Sequence, residues 1–188
     1  ILANELLLAL KFAGQSNAYK LKNDIGLYEE FVNYSKTLER DFPNSKLILS
    51  RIANVYRNSY NYSDQSRYEI AEAKFRALMT ILDETKSSSK ALMMTRFSLL
   101  YTTTGNLEKS LEIIDQAIKF SINDIDLIER NFFKIRTLIY FAKYLDAINQ
   151  INDFENFILS SKMNKNIVLK SLIGIYNFKA IIFAHANR

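Results

Sequence analysis

Along most of the chain, apolar side chains return at intervals of three and four residues, the period of one face of an α-helix. Within 45–57, Leu49, Ile52, Ala53 and Tyr56 share such a face, and Met94, Phe97, Ser98 and Tyr101 repeat the same offsets. A second pattern occurs four times: an aromatic or leucine, then small or apolar residues three, seven and ten positions later. It reads Tyr28/Phe31/Ser35/Leu38, Tyr68/Ala71/Phe75/Leu78, Leu107/Ser110/Ile114/Ala117 and Tyr144/Ala147/Ile151/Phe154. The first members stand 40 (68−28), 39 (107−68) and 37 (144−107) residues apart. A near-constant interval of this size predicts stacked helical hairpins, each hiding the apolar flank of the one before, and not one closed core.

Boundary residues divide the chain accordingly. Pro43 cannot continue a helix, and Asn44-Ser45 can start the next. Ser87 to Ser89 and Asn123-Asp124 separate later hairpins, and Gly105-Asn106 suits a tight turn between two helices. Helices are expected at 2–14, 24–41, 45–59, 65–84, 88–103, 107–121, 125–141, 144–160 and 165–186. These nine make four hairpins and a C-terminal helix, whose apolar side (Val168, Leu172, Ile175, Phe178, Ile182) either caps the last hairpin or begins a fifth.

Composition strengthens the all-α reading: one proline and four glycines among 188 residues are few for a sheet protein with many tight turns. Absence of cysteine excludes disulfides, thiolate metal sites and a cysteine nucleophile, and leaves the compartment undecided. The single histidine, His185, removes the parts for paired-histidine zinc sites and a Ser-His-Asp relay elsewhere in the chain. No metal or other cofactor is expected.

The formal charge is +5, but bases alternate with acids along the helices (Glu29, Glu30, Lys36, Glu39, Arg40), so solvated faces are favoured over a nucleic-acid stripe. No uninterrupted apolar run reaches the roughly 20 residues of a membrane span; Ile167 to Ala186 is interrupted by Lys170, Ser171, Asn177 and Lys179. The chain starts at Ile1, and 1–10 lack the features of a secretory signal, so both ends are expected to be cuts within a longer protein.

Laid out as a unit of about 34 residues, Ala91 to Asp124 resembles a tetratricopeptide repeat. Met94, Phe97, Ser98, Tyr101, Gly105-Asn106-Leu107, Ser110, Ile114 and Ala117 occupy the places that family gives to bulky residues, small residues and the interhelical turn. Tyr28 to Pro43 and Tyr144 to Phe154 fit second helices of such repeats, and Lys46 to Tyr56 fits a first helix. The longer spacing, with Phe31 and Ser110 where alanine is usual, marks the repeats as degenerate. The resemblance implies a right-handed α-α superhelix over 1–188 as a single repeat domain.

It further implies that first helices line a concave groove. The positions that point into it are Leu47, Ser50, Arg51, Asn54, Arg57 and Asn58 in one helix, and Leu92, Thr95, Arg96, Leu99, Thr102 and Thr103 in another. Arg51 and Arg96 are equivalent, and two guanidinium forks suit a carboxylate or an acidic peptide; pairing with neighbouring acids is the alternative. Only Asn54 matches the family's carboxylate clamp.

Helix 125–141 can be aligned in two ways. Starting the repeat at Ile125 buries Ile128, Phe132 and Ile135 and brings Arg130 into line with Arg51 and Arg96. Starting it at Ile128 gives a standard turn before Tyr144 but buries Lys134, which is expensive without a partner. The first alignment is preferred, and with it a ladder of three arginines. Among the tyrosines, Tyr28, Tyr56, Tyr68, Tyr101 and Tyr144 fall on packing positions, whereas Tyr60, Tyr62 and Tyr140 lie off that pattern and are the better candidates for contacts.

The function expected is a noncatalytic protein-interaction scaffold that binds a peptide or partner helix, an acidic one by preference, through Ser50, Arg51, Asn54, Arg57, Thr95, Arg96, Leu99, Thr102, Thr103 and Arg130. The alternative is the ligand- or peptide-sensing input domain of a larger signalling or transcription regulator. An enzyme is disfavoured, because adjacent acids such as Asp124/Asp126 sit where they stabilise a helix start, and no glycine-rich phosphate loop is present.

Overall fold

The structure, a computed structural model, describes residues 25–43, 45, 52–53, 65–82 and 88–186. Every regular element among them is an α-helix: α1 Ile25–Asp41, α2 Gln65–Ile81, α3 Ser88–Thr103, α4 Leu107–Lys119, α5 Asp124–Tyr140, α6 Tyr144–Ser160 and α7 Lys165–Ala186. Of the two further helices expected, 2–14 lies outside the described residues, and of 45–59 only Ser45, Ile52 and Ala53 are described, the last two helical and buried. The chain divides into two units, Ile1–Glu84 and Thr85–Arg188.

In the first unit, α1 buries Phe31, Ser35 and Leu38 on one stripe, and α2 buries Ala71, Phe75 and Leu78 on the equivalent one. The side chain of Lys74 on α2 donates to Glu39 Oε2 on α1, which ties the two helices together. Helix α1 ends at Asp41, two residues before Pro43.

In the second unit, α3 packs on α4 and on α5, and α5 packs in turn on α4, α6 and α7. The stripe of the sequence pattern is the buried stripe of α4 (Ser110, Ile114, Ala117) and of α6 (Ala147, Ile151, Phe154). Its first members, Leu107 and Tyr144, are half-buried at the helix starts. The core around α5, α6 and α7 gathers Ile128, Ile135, Leu138, Ile151, Ile158, Ile175 and Ile182. Phe132, half-buried, packs against it and meets Phe154 and Phe178 edge-on at 5.6 Å each. Helix α7 passes so close to that ring that a Cβ on Gly174 would stand 2.7 Å from Phe132 Cζ.

The hairpin turns show why the chain reverses where it does. After α3, Asn106 N–H donates to Tyr101 C=O at 2.9 Å and Gly105 N–H to Thr102 C=O at 3.2 Å. This is the Schellman motif, whose left-handed position suits glycine, and Gly105 has φ +81°. After α5, Lys143 N–H donates to Leu138 C=O and Ala142 N–H to Ile139 C=O, both at 2.9 Å, with Ala142 at φ 55°. Side chains of Asn106 and Asn123 then cap α4 and α5 by accepting from Lys109 N–H and Asp126 N–H.

Because the two turns are the same motif, Gly105 and Ala142 are equivalent, and α5 aligns with α3 at an offset of 37 (142−105). The buried residues agree. Ile128, Arg130, Asn131, Ile135, Thr137 and Leu138 on α5 correspond to Ala91, Met93, Met94, Ser98, Leu100 and Tyr101 on α3, all buried. The alignment that starts at Ile125 is thereby overturned in favour of the one that starts at Ile128. The reason lies in Lys134: its side chain is 21 % exposed, and its ammonium pairs with Asp115 of α4 at 2.7 Å, which supplies the partner that burial demands.

Helix α7 is, among the described residues, the one helix long and apolar enough to cross a membrane by length and composition. Lys170, Ser171, Asn177 and Lys179 still interrupt its apolar run. Here Ser171, Ile175 and Ile182 lie buried, and Lys179 donates to Glu155 of α6. Leu169, Ile173, Tyr176 and Phe183 are exposed.

Candidate functional site

The face of α3 that points away from α4 carries Leu99 and Thr103 one turn apart, with Thr102 at its edge. Thr103 turns its hydroxyl back to Leu99 C=O at 2.9 Å. Thr102 is buried and belongs to a hydroxyl cluster: its Oγ1 lies 2.7 Å from Ser110 Oγ, which lies 3.0 Å from Ser98 Oγ. Ser98 Oγ and Ser110 Oγ also reach each other's backbone C=O, at 2.9 and 3.1 Å. This ring of small side chains lets α3 and α4 approach closely and fixes how α3 is turned.

Facing it, α5 presents Phe133, Arg136, Thr137 and Tyr140, spaced three, four and seven apart on one helical stripe. Between these four and Leu99, Thr102 and Thr103 lies a cavity of about 170 Å³. Its walls are mostly apolar. Arg136 holds its guanidinium 5.8 Å from the centre of the Phe133 ring, and Tyr140 stands 62 % exposed at the rim with its ring against Phe141. Among the described residues no carboxylate comes within ion-pair distance of Arg136. Its charge is thus available at the cavity mouth.

The residues singled out from sequence divide as follows. Leu99, Thr102 and Thr103 line the cavity. Arg96 is half-buried one turn before Leu99. Thr95 is buried and spends its hydroxyl on Ala91 C=O at 2.8 Å. Arg130 is 4 % exposed and lies beside acids of its own helix, 3.0 Å from Glu129 Oε2 and 3.8 Å from Asp126 Oδ1. In the alignment set by the turns Arg130 matches the core residue Met93, and Phe133 takes the place of Arg96, so Arg130 and Arg96 do not stack in register. Ser50, Arg51, Asn54 and Arg57 lie outside the described residues, as do Tyr60 and Tyr62.

Sequence reasoning did not select Phe133, Arg136 and Thr137. Their signal was present, since all three lie on one stripe with Tyr140, but the alignment from Ile125 directed attention to Arg130. No three side chains able to hold a metal converge among the described residues. Compared with known proteins, the chain matches no family model, no curated protein and no solved structure.

Proposed function

We propose that Thr85–Arg188 is a stack of tetratricopeptide-like hairpins that acts as a noncatalytic interaction module and holds a peptide or partner helix between α3 and α5. The observation that carries this reading is the cavity to which two successive first helices contribute matching stripes, Leu99 and Thr103 from one, Phe133, Arg136 and Tyr140 from the other. Support also comes from the packing order: α3 lies on α5 and α5 on α7, while each hairpin closes on its own second helix, as in a solenoid that leaves one face of its first helices open. Such a surface is preformed, so little conformational entropy is lost when a ligand docks.

Capture of partners from a native lysate tests the reading, with Leu99→Trp to fill the cavity and Arg96→Glu to invert charge beside it. Partners retained by the wild-type chain and lost by both variants support the groove; the same partners on all three place recognition elsewhere. A sensing role inside a larger regulator is the second reading, favoured by a cavity of small-molecule size. There a ligand would raise the unfolding temperature of the chain without any peptide present.

A further inference from the structure

The cavity carries more than a place: its shape and charge select a chemistry. Its volume, about 170 Å³, is close to the roughly 150 Å³ of an engineered apolar cavity that takes up benzene. Leu99, Thr102 and Thr103 line it from α3, and Phe133, Thr137 and Tyr140 from α5, so a planar ring entering between them meets mostly apolar walls. The one charged group on the wall is Arg136, exposed at the mouth and without a carboxylate among the described residues. A guanidinium fixed beside an apolar slot favours a carboxylate that arrives next to an apolar group, through a fork of two charge-assisted hydrogen bonds.

We propose that the α3–α5 groove recognises an aromatic residue of a peptide with an aspartate or glutamate close to it in sequence, the ring filling the cavity and the carboxylate meeting Arg136. This rests on the groove reading and narrows it from any peptide to an aromatic–acidic pair. The peptide is chosen over a free small molecule because the mouth is continuous with exposed side chains, Tyr140 and Arg136, that border it on α5. A chain running over the mouth can touch these while its ring is seated.

The test is selection from a random-peptide phage library on the immobilised chain, followed by fluorescence anisotropy with synthetic peptides built on the pair Phe-Asp and on its Ala-Asp, Phe-Asn and Phe-Lys counterparts. Enrichment of an aromatic residue beside an acid is expected. Phe-Asp should bind at least about tenfold more tightly than Ala-Asp or Phe-Asn, and Arg136→Glu should reverse the preference from Phe-Asp to Phe-Lys. Leu99→Trp should abolish binding, with circular dichroism verifying its helix content; Arg136 is exposed, so the charge-reversal arm does not depend on a core change.

Peptides of another composition that are lost on Leu99→Trp but indifferent to Arg136→Glu would overturn the aromatic–acidic pair and leave the groove reading standing. Peptides that bind both variants as well as wild type, or no enrichment at all, would overturn both. Phenylpropionate binding as tightly as the Phe-Asp peptide would also overturn the proposal, by assigning the cavity to a free small acid.

Discussion

The hairpins α3–α4 and α5–α6 reverse through the same Schellman turn and bury the same stripe, yet they solve the helix crossing with opposite chemistry. In the first, Ser98, Thr102 and Ser110 meet at the crossing and satisfy one another. In the second the equivalent residues are Ile135, Ile139 and Ala147, and the contact is apolar. Polarity returns a turn away: Gln150 donates to Asn131 Oδ1 at 3.2 Å, and Asn131 donates to Leu127 C=O at 2.8 Å, at positions where the first hairpin has Met94 and Ile113. What the two hairpins share is a small side chain on the second helix where the helices touch, Ser110 or Ala147, and a large one a turn later, Ile114 or Ile151. Whether those side chains are polar is exchangeable, provided every buried polar group finds its partner.

Five measurements would break or sharpen that comparison, all read as changes in denaturant midpoint or melting temperature. The largest effect should come from Ile114→Ala and Ile151→Ala, which empty the same fully buried site in each hairpin and should each cost about 2–5 kcal/mol. If one variant were nearly neutral, the two hairpins would not share a packing scheme. Gly174→Ala comes next: the new methyl meets a Phe132 ring that Phe154 and Phe178 hold in place. A cost of about 1–3 kcal/mol should outweigh the better helix propensity of alanine.

Ser110→Ala should cost about 1 kcal/mol by removing one hydroxyl from the cluster, since Ser98 keeps Ser110 C=O and Thr102 keeps Ser98 C=O, and the equivalent residue of the second hairpin is already alanine. The turns should respond with opposite signs. Gly105→Ala forces a Cβ into the left-handed region and should destabilise by about 1 kcal/mol, whereas Ala142→Gly relieves the same strain and should stabilise by up to about 1 kcal/mol.

The smallest effect is electrostatic. The hydrogen bond from Lys179 holds the Glu155 carboxyl below its usual range, against the upward push of burial, with a smaller contribution from the Tyr176 hydroxyl. Its contribution is complete above the ordinary glutamate pKa of about 4.3 and disappears as pH falls through the lowered folded value. Lys179→Met should remove that part of the acid sensitivity and lower stability at neutral pH by roughly 0.5–1 kcal/mol.

Much of the second unit was legible in the sequence, because its helices announce themselves through local chemistry. Gly105, Asn106 and Asn123 mark ends whose hydrogen bonds lie within a few residues, and the +3, +7, +10 stripe is read directly from helical geometry. The alignment of α5 was not legible from the same signals. Lys134 at a core-facing position looked prohibitive until Asp115, nineteen residues earlier (134−115), proved to be its partner. With the alignment went the site: Arg130 drew attention as a third arginine, while Phe133, Arg136 and Thr137 looked like ordinary helix surface.

By itself, then, the order of residues determined that this chain forms helices, where the described ones begin and end, and which stripe is buried on α1, α2, α3, α4 and α6, since those properties follow from periods and caps a few residues long. Only the tertiary structure decided how α5 is turned against α3, that Arg130 is enclosed among acids, and that Leu99 and Thr103 face Phe133, Arg136 and Tyr140 across a cavity. Those outcomes depend on which distant side chain compensates a buried charge and on how closely two helices can approach, and neither is encoded within a single turn of sequence.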